Sequence, residues 1–257
     1  MIIFFWDYYF IGGDNIYKKI VLVVVIISTF LGMVGCITTE KEKRIKLAED
    51  KLQEKYNEEF QVTEIWGKSR HVFGGVCSPK SDPTLKFEGT FSEKENVEHM
   101  DEYVEATVAR EVENNLMPDV NKIAEEVIIK PFVSYRNVFI TNIEDMTISN
   151  YINIADNPEV GVDILIMKSS LKNIGYENEY KIFESIKEKA KFPKFSVGIY
   201  YLENEDYKQC IEYFERNARV YGSYFDIVRK YKDLGFGYPK GQINMSLEKF
   251  ITLRESI

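Results

Sequence analysis

The chain has 257 residues, of which 45% are hydrophobic and 14% aromatic, with 17 Tyr and 17 Phe. That length suits one large domain or two small ones, and so many aromatics exclude wholesale disorder. A formal net charge of -8 argues against nucleic acid, because neutralising phosphates takes clustered Lys and Arg.

Lys18 and Lys19 stand before an uncharged run, Ile20 to Gly35, which ends at Cys36 and gives way to polar Thr38, Thr39 and Glu40. A basic stretch, an apolar stretch and a small residue before the cut site make a secretion signal. Met33-Val34-Gly35-Cys36 resembles the bacterial lipobox, with Met33 in place of the usual Leu. The resemblance implies cleavage before Cys36 and a diacylated Cys36, whose two acyl chains anchor stably where one binds only marginally. The alternative is an uncleaved anchor helix, for which the 16 residues of the run fall short of the roughly 20 that span a bilayer core. Either reading places the body at the cell membrane, on the extracytoplasmic side. Residues 1-35 form the signal or anchor segment. Its first fifteen, MIIFFWDYYFIGGDN, are aromatic and acidic where a signal is basic. One reading leaves 1-15 untranslated, with Gly12-Gly13-Asp14 encoded by a ribosome-binding sequence. Removing residues 1 to 35 takes away Lys18, Lys19, Asp7 and Asp14, so the acidity belongs to the body.

In the body, Ile45, Ala48, Leu52 and Tyr56 recur at three- and four-residue spacing and predict an amphipathic helix from Glu40 to Asn57. Phe60 to Trp66, His71 to Ser78 and Thr84 to Phe91, separated by turn formers, predict a three-stranded antiparallel meander. Leu85, Phe87, Gly89 and Phe91 alternate with polar residues, so one face of this sheet is buried, and a helix is expected to cover it. Asp101 is a plausible cap for a helix to about Leu116, and Pro118 can open a second helix through Val127, or the two can form one kinked unit. Beyond Pro131 the expected order is strand Tyr135 to Thr141, helix Glu144 to Ile152, strand Val160 to Lys168, helix Glu177 to Lys191 and strand Phe195 to Glu203. Asn204 then caps a helix carrying Tyr207, Cys210, Ile211 and Phe214 on one stripe. An irregular stretch from Leu234 precedes a last helix, Ser246 to Arg254. This order is that of an α+β fold. A border is expected at Pro131, between 36-130 and 131-257, although the two halves can also form one compact domain.

With Cys36 lipidated, Cys77 and Cys210 are left. Outside the cytosol they could form one disulfide joining the halves, yet each also suits a buried position, Cys77 in a strand and Cys210 on an apolar stripe. His71 and His99, the two histidines, match neither HExxH nor a zinc set. Both read as surface residues, His99 in an acidic loop. No GxSxG elbow nominates a serine, and the acid-rich span 93 to 126 lacks the DxDxDG pattern of a calcium loop. No catalytic residue, metal or cofactor is therefore assigned. Gly74-Gly75 inside a strand suggests a bulge, or else a place where a ligand or another backbone approaches closely. Tyr200-Tyr201, Tyr221, Tyr224 and Phe225 serve either as core or as the lining of a sugar or peptide groove.

The sequence thus favours a lipid-anchored, non-enzymatic binding or interaction module with an envelope protein as its partner. The alternative is an envelope hydrolase working through acids such as Asp101 or Glu105, which requires paired carboxylates in a cleft.

Overall fold

A computed structural model describes residues 39–67, 69, 71–94, 97, 99–136, 146–172, 175–216, 235–236 and 246–255. The signal segment and Cys36 lie outside the described residues. Thr39 opens the first helix, α1 (Glu40–Tyr56). Its hydroxyl accepts from the Glu42 N–H at 3.2 Å, while the Glu42 carboxylate accepts from the Thr39 N–H at 2.7 Å, a reciprocal cap that satisfies two otherwise orphaned donors. Asn57, at φ 53°, ends the helix in the left-handed conformation that Asn tolerates.

The meander follows. Strands β1 (Phe60–Gly67), β2 (Val72–Pro79) and β3 (Phe87–Ser92) pair antiparallel in that order, and a two-residue β4 (Met100–Asp101) adds to the outer side of β3. Phe60, Val62, Phe73, Cys77, Phe87 and Phe91 converge on one face, which Ala48 and Leu52 of α1 cover. The one register shift in β1 and β2 falls between Val62 and Glu64, so no bulge forms at Gly74-Gly75. Gly74 instead makes room for an indole: a Cβ there would lie 2.4 Å from the Trp66 ring.

Helix α2 (Tyr103–Val120) bridges to the second sheet. Its buried stripe of Val104, Val108, Val112, Leu116 and Val120 runs past Pro118, so of the two readings the single unit holds and the helix does not restart there. In the last turn Pro118 forfeits one backbone donor, and the packing of Leu116 and Val120 outweighs that local loss. The expected second helix through Val127 is absent. Residues 121 to 126 turn the chain, and β5 (Val127–Arg136) begins where that helix was to end. Alternating side chains with a central proline obscured this strand, which tolerates Pro131 because it lies on a sheet edge. The border expected at Pro131 therefore falls inside a strand, and from Arg44 onward the chain is one compact unit. Of the strand expected at Tyr135 to Thr141, only its first two residues are described, as the end of β5.

The second sheet has the order β5-β6-β7-β8, with β6 (Asp156–Met167), β7 (Lys194–Leu202) and β8 (Gly235–Phe236). β5 and β6 are antiparallel, β6 and β7 parallel, and β7 and β8 antiparallel. The β6 to β7 crossover contains α4 (Tyr176–Ala190), as a parallel connection requires. Thr147 caps the short α3 (Ile148–Ile154) by accepting from the Asn150 N–H at 3.2 Å. α5 (Asn204–Arg216) follows β7, and α6 (Leu247–Glu255) lies near the C-terminus. One face of the sheet, with Val160, Val162, Ile164, Val197 and Ile199, forms the main core with α2, α3, α4 and α6. The opposite face, with Leu165 and Leu202, takes Tyr207 and Cys210 of α5. Separate antiparallel and mixed sheets packed on helices make this an α+β fold.

Candidate functional site

The core stripe of α2 leaves a second stripe on the same helix: Glu102, Glu105, Ala106, Ala109, Arg110 and Glu113 fall three and four residues apart. These residues line a groove of about 1160 Å³. One wall comes from Phe87, Glu88 and Thr90 of β3 with Met100 and Asp101 of β4, and the other from Ile128, Lys130, Phe132 and Ser134 of β5. Period-two alternation places those four β5 residues on one face of the strand. Ile211, Phe214 and Glu215 of α5 close one end. There the Lys86 ammonium donates to the Glu215 carbonyl. The groove is lined by apolar side chains together with six acidic and three basic residues, one of the acids, Asp101, having its side chain fully buried.

Asp101 is the most constrained of the acids. Its side chain has 0% exposure. It accepts from Lys55 Nζ at 2.8 Å, from the Tyr56 hydroxyl at 2.5 Å and from the Tyr103 N–H at 3.2 Å. His99 Nε2 approaches to 3.4 Å. Burial works to raise the Asp101 pKa, but the donors His99, Lys55 and Tyr56 outweigh it and hold the carboxyl at about 2. Burial and the Asp101 charge together push the Tyr56 phenol well above its ordinary range. Asp101 was expected to cap α2, but Glu102 holds the N-cap position and makes no side-chain capping bond; Asp101, one residue earlier, accepts from the Tyr103 N–H, and its other contacts could not be read from local spacing.

His99 departs from the reading as a solvated loop residue. Its side chain is 13% exposed and stacks on Phe91 with ring centroids 5.7 Å apart, because β4 folds it back onto the sheet. His71 is exposed, with Nδ1 3.5 Å from a Glu93 oxygen.

The cations are turned onto the protein. Arg110 donates to the Thr84 carbonyl at 3.1 Å and hydroxyl at 3.2 Å, and lies 3.8 Å from Glu113. Lys130 places its ammonium 4.8 Å from the centre of the Phe214 ring. Burial lowers the Lys130 pKa; Glu113 works against that and Arg110 with it. Sequence reasoning missed Lys130 and Met100. The available signal was Lys130 beside Pro131, a combination found on protected sheet edges. Met100, at 74% exposure, gave none.

The disulfide considered between Cys77 and Cys210 is not formed. Both are free and buried, in the cores of different sheets, where burial raises their thiol pKa values. Tyr201 belongs to the main core and donates to Glu179 at 2.8 Å, whereas the neighbouring Tyr200 lies on the α5 side of the sheet. Tyr221, Tyr224 and Phe225 lie outside the described residues. Among the described residues no group of three or more His, Cys, Asp and Glu is placed to hold a metal ion, and no helix is long and apolar enough to cross a membrane.

The fold and site define an α+β body with a groove between two sheets, lined by apolar side chains and by acidic and basic residues. No family model matches the chain, and no curated protein matches it. Among solved structures, the fold is similar to that of a DUF5037 family protein from Ruminococcus gnavus ATCC 29149. The TM-score is 0.62 at 20% identity, over 83% of this chain and 99% of that one. A likeness at this identity is one of fold.

Proposed function

We propose that this protein is a lipoprotein anchored through Cys36 on the extracytoplasmic face of a membrane, and that its body is a non-enzymatic module binding an envelope protein in the groove. The lipobox-like Met33-Val34-Gly35-Cys36 supports the anchor. The groove carries the binding role, because a concave surface lined by apolar side chains with polar groups among them is the usual form of a recognition site.

The hydrolase alternative draws on the same groove, where Asp101 and Glu105 both occur. A glycosidase acid needs a raised pKa so that it holds a proton at the working pH. Asp101 moves the opposite way, to about 2, and its oxygens are already engaged by Lys55 and Tyr56.

Two measurements test the reading. Cells expressing the full chain are fed an alkyne fatty acid and compared with cells expressing Cys36→Ser; label that disappears in the variant supports the anchor, and equal label in both removes it. A photo-crosslinking residue is then placed at Met100 and, separately, at the exposed Lys208 of α5 in membrane-bound protein. A discrete adduct from position 100 alone is expected. No adduct from position 100 under conditions where the protein is abundant counts against the groove as a binding site.

A further inference from the structure

Resting on the reading that the chain is anchored at Cys36, we infer that the first turns of α1 are a docking surface for anionic phospholipid headgroups, formed by Lys41, Lys43 and Lys46. The tether is the first observation behind this. Only Ile37, Thr38 and Thr39 separate Cys36 from Glu40, where α1 begins. Since a residue spans at most about 3.6 Å, a lipid on Cys36 keeps the start of the helix within about 15 Å of the headgroups. Charge is the second. Residues 40 to 46, EKEKRIK, hold four cations and two acids in a chain whose net charge is -8. Both acids are engaged, Glu42 in the reciprocal cap with Thr39 and Glu40 with a partner of its own. Arg44 is held by Glu93 at 2.7 Å. Lys41, Lys43 and Lys46 are exposed, and among the described residues none of the three has a hydrogen-bond or ion-pair partner for its ammonium group. Such cations are drawn to an anionic bilayer within a Debye length of its surface.

The outer face of α1 also sets the direction in which the helix leaves the membrane. Lys43, Lys46, Asp50 and Glu54 are all exposed and recur at spacings of three and four, on the side away from the buried Ala48 and Leu52. An anionic surface attracts the first two and repels the last two, so the helix leans away from it toward Tyr56. At that end Lys55 and Tyr56 hold Asp101, and with it the β4 wall of the groove. About 15 Å of helix lies between Lys46 and Tyr56, which keeps that wall clear of the headgroups. The first sheet adds to the same basic end. Arg44 meets Glu93 and His71 Nδ1 lies 3.5 Å from the same carboxylate, so the start of β2 sits beside the second turn of α1, and the exposed Lys94 follows Glu93 in the chain. An acidic protein segment has the matching sign as well, but the tether keeps lipid within reach of these lysines at all times, and that constancy favours the bilayer.

The test uses the full chain as cells process it, extracted in mild detergent and reconstituted in lipid nanodiscs that carry an acceptor dye on a headgroup. A donor dye is attached through a clickable residue at Ser69, in the turn before β2, or at Lys80, just past the other end of that strand. The 8 residues of β2 separate the two positions by about 25 Å. In discs of phosphatidylglycerol and phosphatidylcholine mixed about one to two, energy transfer from position 69 should exceed that from position 80 about twofold or more. The triple variant Lys41→Gln/Lys43→Gln/Lys46→Gln, discs of phosphatidylcholine alone and about 0.5 M salt should each cut that difference by about half or more, with circular dichroism unchanged in the variant. Equal transfer from the two positions in the anionic discs, or a difference that neither the variant nor the neutral lipid alters, would overturn the inference. The anchor is judged separately. A chain without lipid on Cys36 that still shows the charge-dependent difference overturns the lipid anchor alone, because an uncleaved segment 20–35 supplies the same tether. A lipidated chain without that difference overturns the docking alone.

Discussion

Lys55 Nζ meets Asp101 Oδ2 at 2.8 Å although 46 residues separate them in the chain. The pair joins the end of α1 to β4, and so holds the wall of the groove that carries Met100 against the first sheet. Because Asp101 is fully buried, the ion pair and the Tyr56 hydrogen bond are screened little by solvent.

The first prediction concerns acid. The folded pKa of Asp101, about 2, lies below its unfolded value of 3.8, so its stabilisation is complete above about pH 4 and is lost as pH falls toward 2. The shift corresponds to about 2 kcal/mol. Asp101→Asn should cost about 2 to 3 kcal/mol in urea unfolding at pH 7, and the difference from the parent should shrink at pH 2.5. An equal difference at both pH values would show that the carboxylate charge is not the cause.

A second prediction couples the groove to the sheet beneath it. The Phe132 ring occupies the place where a side chain at Gly161 would begin, 1.8 Å from an added Cβ. Gly161→Ala should therefore displace the ring and destabilise the fold by about 1 to 3 kcal/mol. Phe132→Ala in the same chain should return most of that loss. Additive effects in the double-mutant cycle would mean that the two positions do not touch.

Thiol chemistry provides a third. Burial lifts the Cys210 thiol to about 11 and the Cys77 thiol higher still, so neither presents a thiolate near neutrality. In the Cys36→Ser chain, a thiol reagent at pH 8 should label nothing until denaturant is added, after which two equivalents react. Rapid labelling of the native chain, or fewer than two equivalents after unfolding without reductant, would contradict the free and buried assignment.

The last prediction lies in the main core. Glu179 is buried at 3% exposure in the first turn of α4 and accepts from the Tyr201 hydroxyl at 2.8 Å. Tyr201→Phe removes this donor and should lower stability by about 1 to 3 kcal/mol. Tyr201→Phe with Glu179→Gln should cost less than the sum of the two single changes, as measured by thermal or urea unfolding.

Much of the architecture was legible because it rests on neighbours within one element. The α1 stripe of Ala48 and Leu52, the meander from Phe60 to Phe91 and the α5 stripe through Tyr207 and Cys210 each follow from a period of 3.6 or 2. Alternatives stayed open where two local signals conflicted. Pro118 reads as a helix start and Pro131 as a border, whereas the packing of Leu116 and Val120 carries α2 past the first, and an edge position admits the second into β5. The two-residue β8 was missed because a strand so short has no period to detect.

From the sequence alone came the α+β class, the faces of the long elements and the expectation of a lipid-bearing Cys36. All of these depend on composition or on residues a few positions apart. Only the tertiary structure decided that the acidic stripe of α2 lies between Met100 and Phe132, that Asp101 is held by Lys55 and Tyr56, and that Cys77 and Cys210 fill separate cores. The reason is physical. The bond from Lys86 to Glu215 spans 129 residues, and such contacts form only when two sheets pack on one helix, an arrangement that no periodicity within a single element records.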